Sequence, residues 1–427
     1  MEIIGIDIGT TSICGVLIDA YSGELLKKRT ISSEAFIETG NDFEKIQDPE
    51  KIISMSLGIL NEFISDKTGA IGVTGQMHGI VYLDKEGKAV SPLYTWQDTR
   101  GNLPYKNTTY SAFLGVPAGY GLVSDFYNRE NGLVPKNAVS FSTIHDYFVM
   151  TLTGLKKPLI HTSDAASFGL FDLSTNTFNA PVNADITSGF TVAGKYKGIP
   201  VSVAIGDNQA SVFSTLQSDD DLLINVGTGA QVSLISDCEI KAPNIETRPY
   251  FDNKYLIVGC SLCGGRAYSI LKNFYKETFS FIKDLSDEET YDIMGKMLQK
   301  EGALKVDTRF AGTRENPSIK GSITDISTEN FNPQSLTRGV LAGMVSELYD
   351  LYENMNKQTK GLVGSGNGVR KNKSFIALSK EKFQKDLKIP AHLEEAAFGA
   401  AMFAAVASGI FRSSDEAKKL IKYNEVV

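Results

Sequence analysis

The sequence predicts a mixed α/β protein with two domains built on one plan. Its 427 residues are enough for two or three domains at about 150 residues each. Near the N-terminus a strand, a hairpin, a helix and another strand follow one another, which is typical of layered α/β domains. A strand, a Gly-Thr turn and a second strand occur near residue 9 and again near residue 227, and this weak internal repeat indicates a second domain of the same design.

The elements of the first half follow from their apolar patterns. Tyr21-Ser22-Gly23 separates two strand-like runs and predicts a hairpin. Asp48-Pro49 is a helix start signal, and apolar residues recur at helical spacing to about Ser65. The strands predicted in this half cover residues 2–8, 13–19, 24–30 and 70–74.

The second half opens in the same way and then adds longer helices. Strand-like runs cover residues 221–226, 231–235 and 361–363, and helical patterns cover 333–355 and 394–408. A polar connector lies between Gly206 and Asp221, where the domain boundary is expected. We therefore predict domains at residues 1–213 and 214–427.

Composition and charge argue against several classes of protein. The chain has 43 Lys and Arg against 50 Asp and Glu, a net charge of −7, whereas nucleic-acid binders rely on a basic surface. The longest nearly apolar run, residues 396–411, is shorter than the roughly 20 residues that span a bilayer, and its Ala and Gly suit a packed core helix. The N-terminus has no basic or apolar leader, so we expect a cytoplasmic protein that contacts no membrane.

The cysteines and histidines carry no metal signature. Four cysteines are too few for a disulfide scaffold. Cys260 and Cys263 form a single CxxC pair, for which two small side chains near a packed turn are favoured over a zinc site. The four histidines are scattered along the chain without metal-ligand spacing.

Two Gly-Thr turns have the chemistry of phosphate-binding loops. Asp7-Ile-Gly-Thr-Thr11 places a carboxylate at a strand end, followed by backbone N–H groups and hydroxyls that suit a phosphate. The carboxylate suits Mg²⁺, directly or through water. Gly227-Thr228-Gly229 offers the same groups from the other half. Each is also an ordinary β-turn when taken alone, but two such turns after strands predict a nucleotide phosphate chain held from both sides.

Two further segments follow predicted strands. Val363–Gly368 is a glycine-rich loop that can admit adenine and ribose, although a flexible loop is an equal interpretation, and it matches neither the P-loop nor the Rossmann pattern. Gly206-Asp207-Asn208-Gln209 follows the predicted strand 201–205. Asp207 suits either a proton acceptor in phosphoryl transfer or a helix N-cap.

Two motifs combine polar groups with an apolar surface. Gly75-Gln-Met-His-Gly79 and Trp96-Gln-Asp-Thr-Arg100 fit a sugar pocket, in which a ring stacks on an apolar side chain and its hydroxyls meet donors and acceptors. Considered singly, His78 suits a structural histidine and Trp96, the single Trp, suits a core position.

Together these six motifs resemble the FGGY family of carbohydrate kinases, in which they occur in the same order. The helix that starts at Glu394-Glu-Ala-Ala-Phe-Gly-Ala-Ala401 resembles the closing helix of that family, and the resemblance extends from residue 3 to about residue 409. The resemblance implies two actin-like, ribonuclease H-like ATPase domains, with ATP, Mg²⁺ and the sugar in the cleft between them.

The resemblance also implies a role for each matching residue. Asp207 would be the catalytic base for the primary hydroxyl of a ketose, and Asp7 would organise Mg²⁺ through water. Arg370, Lys371 and Lys373 are interpreted as solvated surface. The residues implied to bind ATP are Gly9, Thr10, Thr11, Gly227, Thr228, Gly229, Gly364, Ser365, Gly366 and Asn367. The residues implied to bind the sugar are Gln76, Met77, His78, Trp96, Asp98, Tyr120, Asp207 and Asn208.

Within the family, four segments most resemble the sedoheptulokinases and imply phosphorylation of sedoheptulose at C7. These segments are Tyr94–Asp98, Gly119–Gly121, Thr143–Tyr147 and Ala165–Gly169. Xylulokinases usually carry Trp-Asn-Asp where this chain has Trp-Gln-Asp, yet a kinase of D-xylulose or L-ribulose remains an alternative. The chain is shorter than many relatives near residues 100–120 and 280–330, and it has Gly-Thr-Gly where sedoheptulokinases can show Ser-Thr-Ser.

Two readings of a different class stay open. One is a non-catalytic actin-like ATPase switch, which would share the phosphate turns but gives no reason for the sugar motifs. The other is a degenerate sugar sensor, which intact Asp7 and Asp207 disfavour. The expected partners are a small ketose and ATP, and a homodimer is an assembly compatible with the sequence.

Overall fold

The computed structural model describes residues 1–298 and 304–424, and these residues divide into two units. The first unit consists of Met1–Gln217, Arg248–Lys254 and His392–Lys422. The second consists of Ser218–Thr247 and Tyr255–Ala391, with Tyr423 and Asn424. Two segments from beyond the predicted boundary at residue 213 therefore lie in the first unit.

Among the described residues, the longer strands belong to two large sheets, and most of the short strands form small sheets of two or three strands. They are β1 (Glu2–Ile8), β2 (Ser12–Asp19), β3 (Leu25–Ser32), β4 (Phe36–Ile37), β5 (Ile46–Gln47), β6 (Thr68–Gly75), β7 (Val81–Leu83), β8 (Leu93–Tyr94), β9 (Pro104–Tyr105), β10 (Thr108–Thr109), β11 (Ser140–Ser142), β12 (Leu159–His161), β13 (Phe171–Asp172), β14 (Thr177–Phe178), β15 (Asp185–Thr187), β16 (Val192–Tyr196), β17 (Ile199–Ser202), β18 (Ile205–Gly206), β19 (Asp221–Val226), β20 (Ala230–Ser236), β21 (Ile245–Pro249), β22 (Tyr255–Ser261), β23 (Lys305–Asp307), β24 (Ser322–Thr324), β25 (Gly361–Ser365), β26 (Leu387–Pro390) and β27 (Tyr423–Asn424).

The helices of the same residues include the two long ones that apolar periodicity predicted, α9 and α12. They are α1 (Pro49–Phe63), α2 (Tyr110–Leu114), α3 (Gly121–Glu130), α4 (Ile144–Thr153), α5 (Thr162–Ser167), α6 (Asp207–Thr215), α7 (Gly264–Ser280), α8 (Asp287–Met297), α9 (Pro333–Asn354), α10 (Asn367–Arg370), α11 (Lys373–Phe383), α12 (Glu395–Ala407) and α13 (Ser414–Lys418). A single 3₁₀ turn is described at Arg100–Asn102.

The sheet of the first unit is built around β1. This strand pairs antiparallel with β2, which pairs antiparallel with β3, and it pairs parallel with β6, which is followed by β17 and β16. The apolar residues of β1 are fully buried, as the sequence predicted for residues 2–8. The predicted strand 201–205 is interrupted, because β17 ends at Ser202 and β18 begins at Ile205, where both pair with β6.

The sheet of the second unit repeats this arrangement around β19. This strand pairs antiparallel with β20, which pairs antiparallel with β22, and it pairs parallel with β25, which is followed by parallel β26. The repeat that is weak in the sequence is thus a repeat of topology, and it confirms that both units have one plan. Apolar side chains from β19, β20, α7, α9 and α11 form the core of this unit.

Two helices of the first unit show how the sequence specifies local structure. Asp48 is the N-cap of α1, and its side chain accepts from the Glu50 and Lys51 N–H groups, as the Asp-Pro signal predicted. Helix α12 packs closely on β1 and β6 because those strands present glycine. A Cβ on Gly5 would lie 1.9 Å from the Ala397 carbonyl oxygen, so only glycine permits this approach. The Ala- and Gly-rich run is therefore a core helix, as predicted.

The structure describes the apolar helices and the two cysteines of the CxxC pair. Among residues 1–298 and 304–424, every helix is too short or too polar to span a bilayer. Cys260 lies in β22, and Cys263, which precedes α7, is buried. Within the same residues neither cysteine forms a disulfide.

Candidate active site

Three neighbouring strand ends bring two of the predicted site carboxylates into one region of the first unit. Ile8 of β1 is in register with Gly75 of β6, and Gly75 is in register with Gly206 of β18. Asp7 precedes Ile8, and Asp207 follows Gly206 as the first residue of α6. Asp7 and Asp207, which are distant in sequence, therefore lie at the ends of neighbouring strands in one sheet.

The helix-cap interpretation of Asp207 is wrong. Gly206 is the N-cap of α6, with φ −61° and ψ 141°, and the Asp207 side chain does not cap the helix. The Gly206 N–H donates to Ser163 Oγ at 3.0 Å, which ties the start of α6 to α5. The Asp207 carboxylate is thus free of a capping role while lying in a first helical turn, where an anion is favoured.

Burial changes the protonation of both carboxylates. It raises the pKa of Asp207 to about 6; the Asp164 charge acts in the same direction, whereas His145, the Asn208 N–H and Arg248 oppose it. Burial also raises the pKa of Asp7 to about 7, and the charge of Asp207 adds to this shift. A carboxylate that titrates near neutral pH is suited to accept a proton.

A buried histidine lowers the pKa of both carboxylates. His145 and Asp164 are fully buried, and His145 Nε2 lies 3.0 Å from Asp164 Oδ1. Burial lowers the pKa of His145, but the close contact with the Asp164 carboxylate and the charges of Asp146 and Asp207 outweigh this effect and raise the pKa to about 9. Ligand atoms of His145, Asp146 and Asp164 lie within 4.8 Å of one another, a spacing that a metal ion can use, but the close contact with Asp164 makes a cationic imidazole the simpler assignment.

Sequence reasoning missed this cluster because its members come from separate elements. His145 and Asp146 lie in the first turn of α4, and Asp164 lies in the first turn of α5. In the sequence, Thr143–Tyr147 is only a mark of family resemblance, and the four histidines show no metal-ligand spacing. The adjacent His-Asp pair was the available signal, but its meaning depended on the distant Asp164.

The residues predicted for a sugar pocket include a rigid aromatic pair. The His78 ring stacks on Tyr120 with ring centres 4.2 Å apart. The His78 N–H donates to Ser167 Oγ at 3.1 Å, and His78 Nδ1 lies 2.8 Å from the Ser167 carbonyl oxygen. His78 also has φ +74°, a left-handed conformation that non-glycine residues adopt at a cost and that is common at functional sites.

The side chain of Trp96 is 47% exposed, so the core interpretation of this residue is wrong. Its Nε1–H donates to Thr10 Oγ1 at 2.9 Å, and Thr10 Oγ1 donates to Gln76 Oε1 at 3.2 Å. The tryptophan motif, the Gln-Met-His motif and the first phosphate turn therefore meet. Met77 is buried against Gly206, where an added Cβ would lie 2.7 Å from the sulfur.

The position of Asp98 differs from that expected of a sugar ligand. Its carboxylate is 0% exposed, with Oδ1 2.7 Å from Arg100 Nε and Oδ2 3.0 Å from a terminal nitrogen of the same guanidinium. Oδ2 also accepts from the Lys45 N–H at 3.1 Å. Since the buried Arg100 guanidinium occupies both oxygens, we correct Asp98 to a structural residue that holds the motif in place.

Asn208 has a charged neighbour, and the first phosphate turn is at least partly exposed. Asn208 Oδ1 accepts from Arg248 at 3.1 Å, and Arg248 was not expected from the sequence because it belongs to a segment that returns to this unit. Gly9 and Thr10 are partly exposed and Thr11 is exposed, so the turn between β1 and β2 is open to a ligand.

The second unit contains a cavity of about 1000 Å³ next to its own Gly-Thr turn. Gly227 and Thr228 line it, and so do Gly366 and Asn367. Gly364 and Ser365 do not, because they lie in β25, where Ser365 Oγ accepts from Asn225 at 2.6 Å. We therefore correct the expected ligand loop to Gly366–Gly368.

Other cavity residues had no sequence motif. The rings of Tyr268 and Tyr291 stack at 5.8 Å, and the remaining apolar lining is Leu298, Leu341, Met344 and Phe375. Lys371 and Lys373, predicted to be solvated surface, also line the cavity, which corrects that interpretation. The other polar lining residues are Arg266, Ser269, Asn372 and Ser374. Apolar walls beside phosphate-binding groups suit a nucleotide.

Glycines bring the helix starts against this turn. Gly366 has φ +79°, and a Cβ there would lie 2.5 Å from the Val226 carbonyl oxygen. A Cβ on Gly265, at the start of α7, would lie 2.3 Å from the Gly227 carbonyl oxygen. Gly229 accepts from the Gly227 N–H at 3.0 Å and closes the turn. The Gly-Gly pair after β22 was a usable sequence signal for this site.

Comparison with known proteins points to one family. The N-terminal domain of the FGGY family of carbohydrate kinases matches residues 2–107, and the C-terminal domain of that family matches residues 222–408. Sedoheptulokinases from Mus musculus and Homo sapiens are 28% and 29% identical to the chain, each over 93% of it and 96% of the relative. A xylulose kinase from Lactococcus lactis is 27% identical over 99% of the chain and 91% of the relative.

Solved structures agree with the predicted fold. A ligand-bound xylulose kinase from Lactobacillus acidophilus has a TM-score of 0.83 at 20% identity and covers 99% of this chain and 93% of its own. Plasmodium falciparum glycerol kinase with ADP has a TM-score of 0.74 at 17% identity, over 98% of this chain and 92% of its own. These similarities confirm a fold of two actin-like domains.

Proposed function

The chain belongs to the FGGY family of carbohydrate kinases, and we propose that it transfers the γ-phosphoryl group of ATP to a ketose, most specifically to sedoheptulose. The observation that carries this proposal is the placement of Asp207, with a pKa near 6, beside Asp7 at aligned strand ends. The sedoheptulose assignment is supported by the two sedoheptulokinases among the relatives.

In the proposed reaction Asp207 is the general base. The primary hydroxyl oxygen of the sugar attacks the γ-phosphorus of ATP. The bond between the γ-phosphorus and the β–γ bridging oxygen then breaks, and ADP leaves. The hydroxyl proton passes to the Asp207 carboxylate, which must be ionised beforehand. The first-turn position in α6 and the charge of His145 both favour that ionised form.

Asp7 is the proposed ligand of Mg²⁺. It is a partly exposed carboxylate whose pKa is raised by burial and by the charge of Asp207, and a cation beside it would offset that repulsion. A single carboxylate fits a metal that keeps several of its waters. When bound, Mg²⁺ supplies positive charge to the phosphates as the bridging bond breaks.

Each unit, taken by itself, has groups suited to one part of ATP. In the second unit, Tyr268, Tyr291 and Phe375 form apolar walls for adenine, and Gly366 and Asn367 lie where a ribose would approach the backbone. Thr228 and the neighbouring backbone would meet the phosphates. In the first unit, we assign phosphate binding to the backbone of Gly9–Thr11 and to the exposed Thr11 side chain.

The proposed sugar site combines Asp207 and Asn208 with aromatic residues from the Gln-Met-His and tryptophan motifs and with Tyr120. The stacked His78 and Tyr120 rings and the exposed Trp96 provide flat surfaces on which a sugar ring can lie. Asn208, oriented by Arg248, provides an amide beside the base. Asp98 is excluded because its oxygens are occupied, and Gln76 and Met77 support the neighbouring residues.

Substrate specificity is tested by ADP release with Mg-ATP across sedoheptulose, D-xylulose, D-ribulose, L-ribulose, D-fructose and glycerol. A highest kcat/KM for sedoheptulose supports the proposal. A highest value for D-xylulose favours the second candidate, which the Lactococcus lactis relative at 27% identity supports. ATP binding without sugar-dependent ADP release would contradict both and favour a switch or a sensor.

The charge of His145 predicts a pH effect. His145→Gln removes the buried cation that lowers the pKa of Asp207, so the pKa of this carboxylate should rise above about 6. Because only ionised Asp207 accepts the proton, the acid limb of kcat/KM should move to higher pH, with activity about tenfold lower at pH 6 and closer to wild type at pH 9.

His392→Gln, the same change in a histidine outside the site, is the matched control and should keep the wild-type profile. Urea unfolding establishes that both variants fold. A folded His145→Gln enzyme whose acid limb has not moved would show that this charge does not act on Asp207. The groups whose charges act on this site are His145 and Asp146 on α4, Asp164 on α5, Asp7 on β1, Arg248 on β21 and Glu394 at the start of α12.

A further inference from the structure

Gln47 is a fully buried polar residue that no motif identified. It is the last residue of β5 and is 0% exposed. Its Nε2 donates to the Thr10 carbonyl oxygen at 2.7 Å, and its Oε1 accepts from Gln76 Nε2 at 2.9 Å. Both ends of the amide are therefore used, and one of them holds the first phosphate turn.

The hydrogen bonds continue from Gln76 to the exposed tryptophan. Gln76 Oε1 accepts from the Thr10 hydroxyl at 3.2 Å, and that hydroxyl accepts from Trp96 Nε1 at 2.9 Å. The Thr10 carbonyl oxygen also accepts from Ser33 Oγ at 3.1 Å. We call this chain of hydrogen bonds the glutamine relay. It runs from the Thr10 carbonyl through Gln47 and Gln76 to the Thr10 hydroxyl and ends at Trp96.

The direction of every bond in the glutamine relay follows from its two ends. A carbonyl oxygen only accepts, so Gln47 must present its amide nitrogen to Thr10 and its oxygen to Gln76. Gln76 then presents its oxygen to the Thr10 hydroxyl, which must donate. An indole N–H only donates, which agrees with the hydroxyl accepting from Trp96. The single hydroxyl hydrogen of Thr10 is therefore committed to Gln76.

We propose that Gln47 is a positioning residue that, through the glutamine relay, orients Trp96 against the first phosphate turn. This inference rests on the proposed function, in which Trp96 contacts the sugar and the turn contacts phosphate. One buried amide thus sets the relative position of two surfaces that bind different substrates. The same directions mean that the Thr10 hydroxyl orients Trp96 and does not donate to phosphate, so the turn binds phosphate through other groups.

Gln47→Glu tests the proposal with little change of shape. A glutamate cannot donate to the Thr10 carbonyl, so two acceptors would face each other at the position now bridged at 2.7 Å. We expect Trp96 emission to shift to longer wavelength and its quenching by acrylamide to increase. We also expect the KM for the sugar to rise and kcat to fall, with a combined loss of about tenfold in kcat/KM, because the Trp96 ring loses its fixed orientation.

The controls separate positioning from stability. Gln358→Glu makes the same chemical change at an exposed position in the second unit and should leave emission and kinetics unchanged. Because the chain has a single Trp, the emission reports Trp96 alone. If Gln47→Glu does not fold, Thr10→Val, which removes only the hydroxyl at the end of the relay, must produce the same emission change.

Two outcomes would overturn the inference. The first is a folded Gln47→Glu protein with wild-type Trp96 emission and quenching. The second is altered emission with sugar KM and kcat unchanged, which would show that the orientation of Trp96 does not matter to the reaction. Emission is measured without substrate, so it tests the relay even if no ketose is phosphorylated and the proposed function fails.

Discussion

Replacing Asp207 by Asn should lower kcat by at least about 10²-fold while the affinity for ADP stays unchanged. The amide keeps the size of the side chain but cannot take the proton from the sugar hydroxyl, and general-base catalysis contributes roughly 10²–10⁴-fold. Nucleotide binding should survive because the cavity proposed for ADP lies in the second unit. Steady-state kinetics on the preferred ketose and calorimetry with ADP measure the two effects.

Asp415→Asn is the matched control for this change. Asp415 lies in the first turn of α13 in the same unit, is exposed, and takes no part in the proposed site. Its variant should have wild-type kcat. If Asp207→Asn keeps kcat within about threefold of wild type, Asp207 is not the base, and the proton must go elsewhere.

Replacing Arg100 by Met should destabilise the first unit by about 3–5 kcal/mol. Arg100 and Asp98 are both almost completely buried and share two close N–O contacts, so the variant leaves the Asp98 carboxylate buried without its cation. Asn128 Oδ1, which accepts from Arg100 at 2.6 Å, and the Tyr94 ring also lose a partner. Urea unfolding followed by Trp96 emission measures the change, because Trp96 lies in this unit.

Arg29→Met provides the contrast. Arg29 pairs with Glu62, and the two side chains are 51% and 45% exposed, so this change should cost less than about 1 kcal/mol. Asp98→Asn combined with Arg100→Met removes the unpaired charge and should recover part of the loss. If the two single arginine changes lower the free energy of unfolding equally, the buried pair contributes no more to stability than the exposed pair.

Much of the fold was predictable because its signals are local. The strand 2–8 is confirmed residue for residue as β1, and the helix start at Asp48-Pro49 is confirmed as the N-cap and first residue of α1. Alternating apolar runs and capping residues determine such elements from neighbours in sequence. The interruption between β17 and β18 was missed because the apolar run continues through it and only the pairing with β6 divides it.

The candidate site was predictable where a motif carries its own chemistry. Asp7, Asp207 and the Gly-Thr turns are where such groups were expected, at strand ends. The cavity walls Tyr268 and Tyr291 were not predictable, because they come from two helices and become neighbours only when those helices pack. The same holds for His145 and Asp164, which form a pair from separate elements.

The sequence by itself determined the α/β class, the repeated strand–turn–strand plan and the family, because these depend on local patterns and on the order of motifs along the chain. Only the tertiary structure decided which motif side chains remain available to a ligand. Asp98 is occupied by Arg100, and the Thr10 hydroxyl is occupied by Gln76. The physical reason is that burial and hydrogen-bond partners are set by residues distant in sequence, and a donor or acceptor already used inside the protein cannot serve a substrate.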